Sequence, residues 1–335
     1  MKIPIPKFAF TREIKEALRA SVKGELTWDV PMKTRTTIRV GGPADCVFAP
    51  ADAEDVSAFV QVAKKMRIPW DIFGAGSNLI VKDGGFRGVL LDLGPAFAAV
   101  EKIDDTHIKA GAGAPLPTVV VRAKEWAMDG AEKVCGIPGQ VGGAVAMNAG
   151  TAEGDTSELI ASITVVDKNG KIKTIDREDI PFEYRSLGMD KDTVVVEATF
   201  VFKQGDAKAI AKKIESSKAK RKESQPLDIP NAGCAFKNVR DPKSGRTRFS
   251  AGKVIDELGL KGVRVRGAQI SEVHANFIVN VGEATARDVL TLLALVRDKV
   301  KDAHGVVLES EWRVIGEDAP DEKSSPFAPL QKKDD

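Results

Sequence analysis

The run CGIPGQVGGAVAMNAG, residues 135–150, decides how this chain is read. It places Gly136, Gly139, Gly142 and Gly143 around the expected start of a helix. Backbone N–H groups at such a start, with the helix dipole behind them, favour a phosphate. A helix rich in Gly and Ala also lets a large planar ligand lie against its backbone. The bland alternative is close packing of a helix on a sheet. A second run tips the balance. GAGSNLI, residues 74–80, follows the strand-like WDIF and offers backbone N–H groups, Ser77 and Asn78 to an anion. Taken singly, it reads as a plain tight turn. It is neither GxGxxG nor a GK[ST] loop, so a Rossmann nicotinamide site and a P-loop both fit poorly. Two such loops in one strand-rich region point to a resident dinucleotide, and FAD fits better than a nicotinamide.

Working outward, residues 11–25 read as a short helix. TIRVGGPADCVFAP reads as strand and turn, and AEDVSAFVQVAKKM as a helix with acids first and bases last. FRGVLLDL and THIKAGAG read as strands, and LPTVVVRAKEWAMDG as a helix ending at Gly130. ASITVVDKNGKIKTID is a hairpin, in which Asn169-Gly170 signals a type I′ turn. TVVVEATFVFK is a further strand. The basic helix at about 206–222 reads as a solvated face, since no aromatic platform for bases accompanies it. SAGKVIDELGL is helical, QISEVHANFIVN a strand, TARDVLTLLALVRDKVKDAHG an amphipathic helix and VVLESEWRVIG a closing strand. The expected domains are a helical segment at 1–35 and a cofactor domain at 36–205, with lobes at about 36–95 and 96–205. A substrate domain at 206–316 and a disordered polar tail at 317–335 follow.

The chain has 335 residues, 43% hydrophobic and 29% charged, which suits a globular protein of two or three domains. Its net charge of +2 gives no pull toward nucleic acid or membrane. Cys46, Cys135 and Cys234 are odd in number and far apart, with no CxxC. That speaks against a disulfide framework and a zinc site, and for a reducing cytoplasm. His107, His274 and His304 are scattered, so no metal is expected. MKIPIPKFAF lacks the apolar core of a signal peptide, and no apolar run reaches the length of a membrane span.

Seven stretches occur in order: TTIRVGGPAD, IFGAGSNLIVKDGGFRGVLLDL, GIPGQVGGAVAMNAG, YRSL, PNAGCAFKN, SAGKVIDELGLKG and ESEWRVIG. Together, from about Thr36 to Gly316, they resemble the UDP-N-acetylenolpyruvoylglucosamine reductases of peptidoglycan synthesis. The match is to the shorter subtype, which lacks a substrate-capping insertion. The resemblance implies an α+β fold, with a two-lobed FAD-binding domain of the vanillyl-alcohol-oxidase type and a C-terminal α/β substrate domain. It implies non-covalent FAD, NADPH as co-substrate, a cytoplasmic monomer, and reduction of an enolpyruvyl ether to a lactyl ether. Gly74, Ala75, Gly76, Ser77 and Asn78 would hold the FAD pyrophosphate. Gly136, Ile137, Pro138, Gly139, Val141, Gly142, Gly143 and Ala144 would line the flavin. Arg185 and Glu311 match the family's active-site arginine and glutamate. Tyr184, Asn231, Lys237, Asn238, His274 and Asn276 fall at substrate positions. Cys234 departs from the family's commonest residue, the serine taken as the acid that protonates carbon.

The chemistry suits these residue types. Hydride at C3 of the enolpyruvyl group leaves enolate charge, which a fixed cation such as Arg185 would stabilise in a dry site. Glu311 can donate a hydrogen bond if burial keeps it protonated. A free thiol, with a pKa of about 8.5, surrenders a proton more readily than a hydroxyl, so Cys234 can serve as the acid at C2. Each has a bland alternative: Arg185 as a surface partner of Glu183, Lys237 as an exposed lysine, and Glu309 and Glu311 as decoration on one strand face. Cys46 and Cys135 read as packing. Two rivals remain. An oxidase of small alcohols or sugars on the same cofactor fold would often tether its flavin covalently. A nucleotide-binding module without redox activity would lack a flavin that NADPH can bleach.

Overall fold

The computed structural model describes residues 8–241 and 244–320. Two compact units divide the chain. The first comprises the described part of Met1–Val30, with Ala44–Ala75 and Arg87–Arg221. The second comprises Pro31–Pro43, Gly76–Phe86 and the described part of Lys222–Asp335. The chain is therefore cut differently from the expected boundaries at 35/36 and 205/206. Segments 31–43 and 76–86 leave the N-terminal half, and the second unit begins within the basic helix rather than before it. Of the expected tail, 321–335 lies outside the described residues.

In the first unit, helix α1 (Arg12–Ser21) is capped by the Thr11 hydroxyl, which accepts from the Ile14 N–H at 3.2 Å. The strand Glu25–Pro31 follows, within the segment expected to be helical. Its signal is a period of two: Leu26, Trp28 and Val30 turn inward while Glu25, Thr27 and Asp29 face water. Trp28 packs edge-on against Phe10 at 4.9 Å. Helix α2 (Ala53–Met66) starts on the Asp52 carboxylate, buries Val56, Phe59, Val60, Val62 and Ala63, and stops at Arg67 in the left-handed region. Buried Asp55 accepts from the N–H groups of Lys23, Gly24 and Ala51 at 2.8–3.0 Å, pinning the N-terminal segment to α2.

Two sheets share one core. The first runs Glu25–Pro31, Pro43–Ala49, Phe86–Asp92 and Trp70–Phe73, the last two parallel. The second, antiparallel, runs Ile172–Asp176, Ile160–Val166, Val194–Val201, His107–Gly111 and Val100–Lys102. The hairpin at Asn169-Gly170 forms, but not with a type I′ turn. Only Gly170 takes positive φ (81°), and the Asp167 N–H bonds the Lys171 carbonyl at 3.0 Å. That is a three-residue loop with a glycine bulge, which spares Asn169 the left-handed region. Helix α3 (Leu116–Glu125) stops short of Gly130, because Ala127 turns left-handed (φ 53°) and Met128–Asp129 joins Lys203–Gln204 as a ribbon. Helix α4 (Val141–Ala146) is short. Helix α5 (Ala207–Ser224) buries Ile210 and Ile214 and exposes most of its lysines.

The second unit is built on an antiparallel sheet of Asn231–Cys234, Phe277–Asn280, Ala268–Ile270 and Arg264–Val265. QISEVHANFIVN is thus two strands around a turn at 271–276 rather than one. Helix α6 (Ala251–Glu257) precedes the sheet's last three strands in the chain, and helix α7 (Ala286–His304) follows them. Helix α7 buries Val289, Leu290, Leu292, Leu293, Val296 and Val300 in the unit's core. Its first N–H groups, from Ala286 and Arg287, donate to the Asp83 carboxylate at 2.9 Å. Of the expected closing strand, Ser310 bridges Phe236, and Arg313–Ile315 pairs parallel to Leu79–Val81. The attachments of Asp83 and of Leu79–Val81 explain why 76–86 belongs here.

Candidate active site

In the first unit the glycines of residues 136–143 divide by role. Gly142 packs tightly: an added Cβ would stand 2.9 Å from the Ala112 Cβ, and its N–H donates to the Ala112 carbonyl at 2.8 Å. Val141 N–H likewise donates to Ala114 at 2.9 Å. The N–H groups of Val141 and Gly142 at the start of α4 are therefore spent on the protein rather than offered to a phosphate. Gly143 is the opposite case: it is exposed, and a Cβ there would meet nothing within 4 Å. It presents bare backbone that a flat ring can approach. Gly136 (φ 74°) lies against the Arg221 side chain, and the Gly139 carbonyl accepts from Leu116 N–H at 2.9 Å. Ile137 N–H donates to Val134, Pro138 is exposed and Ala144 is buried.

Arg185, in the same unit, is no surface residue: its side chain is 14% exposed. Its Nη1 donates to Asp155 Oδ1 at 2.9 Å and to the Asn148 carbonyl at 3.3 Å, and its Nη2 to the Gly150 carbonyl at 3.2 Å. Its guanidinium stacks 5.0 Å from the Tyr184 ring. Asn148 and Asp155 were not among the sequence candidates. The only signal for them is that both sit in or just after MNAG.

In the second unit several predicted residues come together. Gly76 (φ 66°) lies so close to residues 35–36 that a Cβ would stand 2.6 Å from the Arg35 carbonyl. Its own carbonyl accepts from the Thr37 N–H and hydroxyl at 3.2 and 3.1 Å. Thr37 Oγ1 reaches the Asn231 carbonyl at 2.6 Å. Asn78 Nδ2 donates to the Glu311 carbonyl at 3.0 Å, and Arg313 N–H to the Asn78 carbonyl at 3.1 Å. The Gly76 and Asn78 carbonyls are thus turned into the protein, as a loop that offers N–H groups to an anion requires. Glu311 N–H donates to the Ala235 carbonyl at 2.9 Å, setting the acid beside the cysteine segment. Both Cys234 and Glu311 are half-buried.

Cys234 is aimed by a bulge. Asn231 pairs with Val279 and Cys234 with Phe277, so one strand carries an extra residue, and Gly233 takes φ 77° there. Glycine bulges of this kind re-aim the next side chain. The amides around the cysteine are structural. Asn276, 4% exposed, accepts from Phe236 N–H at 3.0 Å and donates to the Phe236 carbonyl at 2.8 Å. Asn231 spends its amide on Pro226, Ile229 and Gly233, and Asn238 accepts from Ala251 N–H. Asn231 and Asn276 therefore shape the loop rather than reach outward, contrary to the sequence reading. Lys237 Nζ pairs with Glu309 at 2.7 Å. Glu309 and Glu311 flank Ser310, which bridges Phe236, and the Glu309 carbonyl accepts from Lys237 N–H at 2.9 Å. His274 Nδ1 accepts from Asn276 N–H at 3.1 Å, which leaves the proton on Nε2. Burial holds its pKa below the usual value, with Lys261 adding to the effect.

No group of three or more His, Cys, Asp or Glu suited to a metal occurs among the described residues. No helix there is long and apolar enough to cross a membrane. In the first unit the open backbone at Gly143 fits the flat ring of a flavin, and residues 44–176 match the model of an FAD binding domain. The protein is thus a flavoenzyme of α+β fold with FAD as its cofactor. Residues 225–315 match the C-terminal domain of UDP-N-acetylenolpyruvoylglucosamine reductase. The enzyme of that name from Geotalea uraniireducens is 39% identical over 92% of this chain and all of its own. That from Heliobacterium modesticaldum is 41% identical over 88% of this chain and 92% of its own. The crystal structure of the Thermus caldophilus enzyme covers 88% of this chain and 99% of its own, at 33% identity and a TM-score of 0.73. The chain belongs to the UDP-N-acetylenolpyruvoylglucosamine reductase family.

Proposed function

We propose that this protein reduces the enolpyruvyl ether of UDP-N-acetylglucosamine to UDP-N-acetylmuramate, with NADPH as the reductant, in cytoplasmic synthesis of peptidoglycan precursors. Bound FAD would supply the relay that carries hydride from NADPH to C3 of the enolpyruvyl group. Gly143 and its neighbours would line the ring, and Gly76 to Asn78 would meet the pyrophosphate. The observation that carries the reading is the Glu311–Ala235 hydrogen bond, which sets an acid beside a bulge-aimed thiol on a separate stretch of chain. Cys234 delivers the proton to C2. Glu311 acts on the developing enolate by hydrogen bonding, and Arg185 supplies fixed positive charge to it. Lys237 meets the anionic nucleotide and exchanges its Glu309 partner for it.

The test is anaerobic. The flavin of the purified protein is bleached with NADPH, and the enolpyruvyl sugar nucleotide is then added. Return of the flavin colour is expected; continued bleaching overturns the assignment. Cys234→Ala should leave the NADPH step intact and slow the return of colour, and Cys234→Ser should restore it. Normal turnover in Cys234→Ala removes the thiol from the mechanism.

A further inference from the structure

Arg185 is held in a conformation that an arginine does not choose. Residues 183–186 form a two-residue reversal, with Ser186 N–H on the Glu183 carbonyl at 3.2 Å and Glu183 N–H on the Ser186 carbonyl at 3.0 Å. Arg185 occupies the third position with φ 58°, where such a turn calls for glycine. Strain of this kind persists only where the surroundings over-determine it. Two residues outside the motif do so. Asn148 is buried and itself left-handed (φ 42°). Its Nδ2 donates to the Glu183 carbonyl at 3.0 Å, the oxygen that closes the turn, and its Oδ1 accepts from Ser157 N–H at 2.9 Å. Its carbonyl takes Arg185 Nη1. One residue therefore holds both the backbone and the head of the arginine. Asp155 supplies the counter-charge at 2.9 Å. It pairs across a short ribbon with Gly150, whose missing side chain makes room for it: a Cβ there would lie 1.8 Å from Asp155 Oδ1. The Gly150 carbonyl then receives Nη2.

We propose that Asn148 and Asp155 are positioning residues that preset the Arg185 guanidinium for the sugar-nucleotide step. This rests on the role given to Arg185 above. The test uses the FAD-loaded protein and follows each half-reaction by stopped flow. Asn148→Gly tolerates the left-handed backbone and removes both amide contacts, and Asp155→Asn keeps the size and removes the charge. Each should slow reoxidation by the sugar nucleotide at least tenfold and leave reduction by NADPH within twofold. In an Arg185→Lys background neither should slow reoxidation further. Reoxidation at the parent rate in either variant, or an undiminished loss in the Arg185→Lys background, overturns the proposal. If Asn148→Gly does not fold, Asp155→Asn decides alone. A readout without turnover comes from urea midpoints, where the Asp155→Asn and Arg185→Lys shifts should fall short of adding. Additive shifts would show that the pair is not coupled. Failure of the parent reading looks different: the unsubstituted protein would not be reoxidised at all.

Discussion

Replacing Gly143 by alanine should change the apoprotein and the holoprotein in opposite directions. Gly143 lies inside α4 with φ outside the left-handed region, and a Cβ there meets no protein atom within 4 Å. Alanine in a helix is favoured over glycine by about 0.5–1 kcal/mol, so the apoprotein should gain stability of that order. If a flavin ring lies on this bare backbone, the new methyl group overpacks the site. Overpacking costs roughly 1–3 kcal/mol, which weakens FAD binding by about 5- to 150-fold. Urea unfolding of the deflavinated protein gives the first quantity, and FAD titration followed by flavin fluorescence gives the second. Gly142→Ala is the internal control, since its Cβ would collide with Ala112 and must destabilise the apoprotein. A Gly143→Ala protein that binds FAD at full strength would refute the placement of the ring on this helix. One whose apoprotein is destabilised would refute the reading of open space.

Two further outcomes follow from titratable groups. His274 keeps its pKa below 6.5 through burial, so below that pH the unfolded chain binds a proton there that the folded chain does not. Its contribution is intact above pH 6.5 and is lost as pH falls from there toward the folded pKa. Urea midpoints at pH 5.5 and 7.5 should therefore differ less in His274→Gln than in the parent, and equal differences would refute this. Burial pushes the Cys46 thiol up to about 12, with Asp45 adding to it, and raises Cys135 as well. A disulfide reagent should accordingly label one thiol quickly in the native protein and the other two only after denaturation. Cys234→Ser should abolish the fast phase, and a fast phase that survives would refute it.

The helices were legible because their signals are local. Acids first and bases last around an apolar period mark α2, and the amphipathic run TARDVLTLLALVRDKVKDAHG marks α7, without any tertiary information. The hairpin at Asn169-Gly170 was legible for the same reason, though not its turn type, since both turns use the same two residues. The strand Glu25–Pro31 was missed although its alternation is regular, because a helical segment precedes it directly. The amides of Asn231 and Asn276 turn to the backbone rather than outward. Nothing in a run of residues says whether an asparagine faces a ligand or a backbone, and in Asn276 the Phe236 backbone took both of its groups.

By itself the sequence determined the two glycine loops, the main helices, and the thiol set in an otherwise amide-rich turn. These follow from residue type and short spacing. Only the tertiary structure decided which glycine is open and which is packed, since Gly142 and Gly143 differ solely in what stands opposite them. Only it assigned residues 31–43 and 76–86 to the second unit, through the pairing of Leu79–Val81 with Arg313–Ile315. It alone showed Arg185 strained and clamped by Asn148 and Asp155. A strained backbone leaves no mark in composition, because the contacts that hold it come from other parts of the chain.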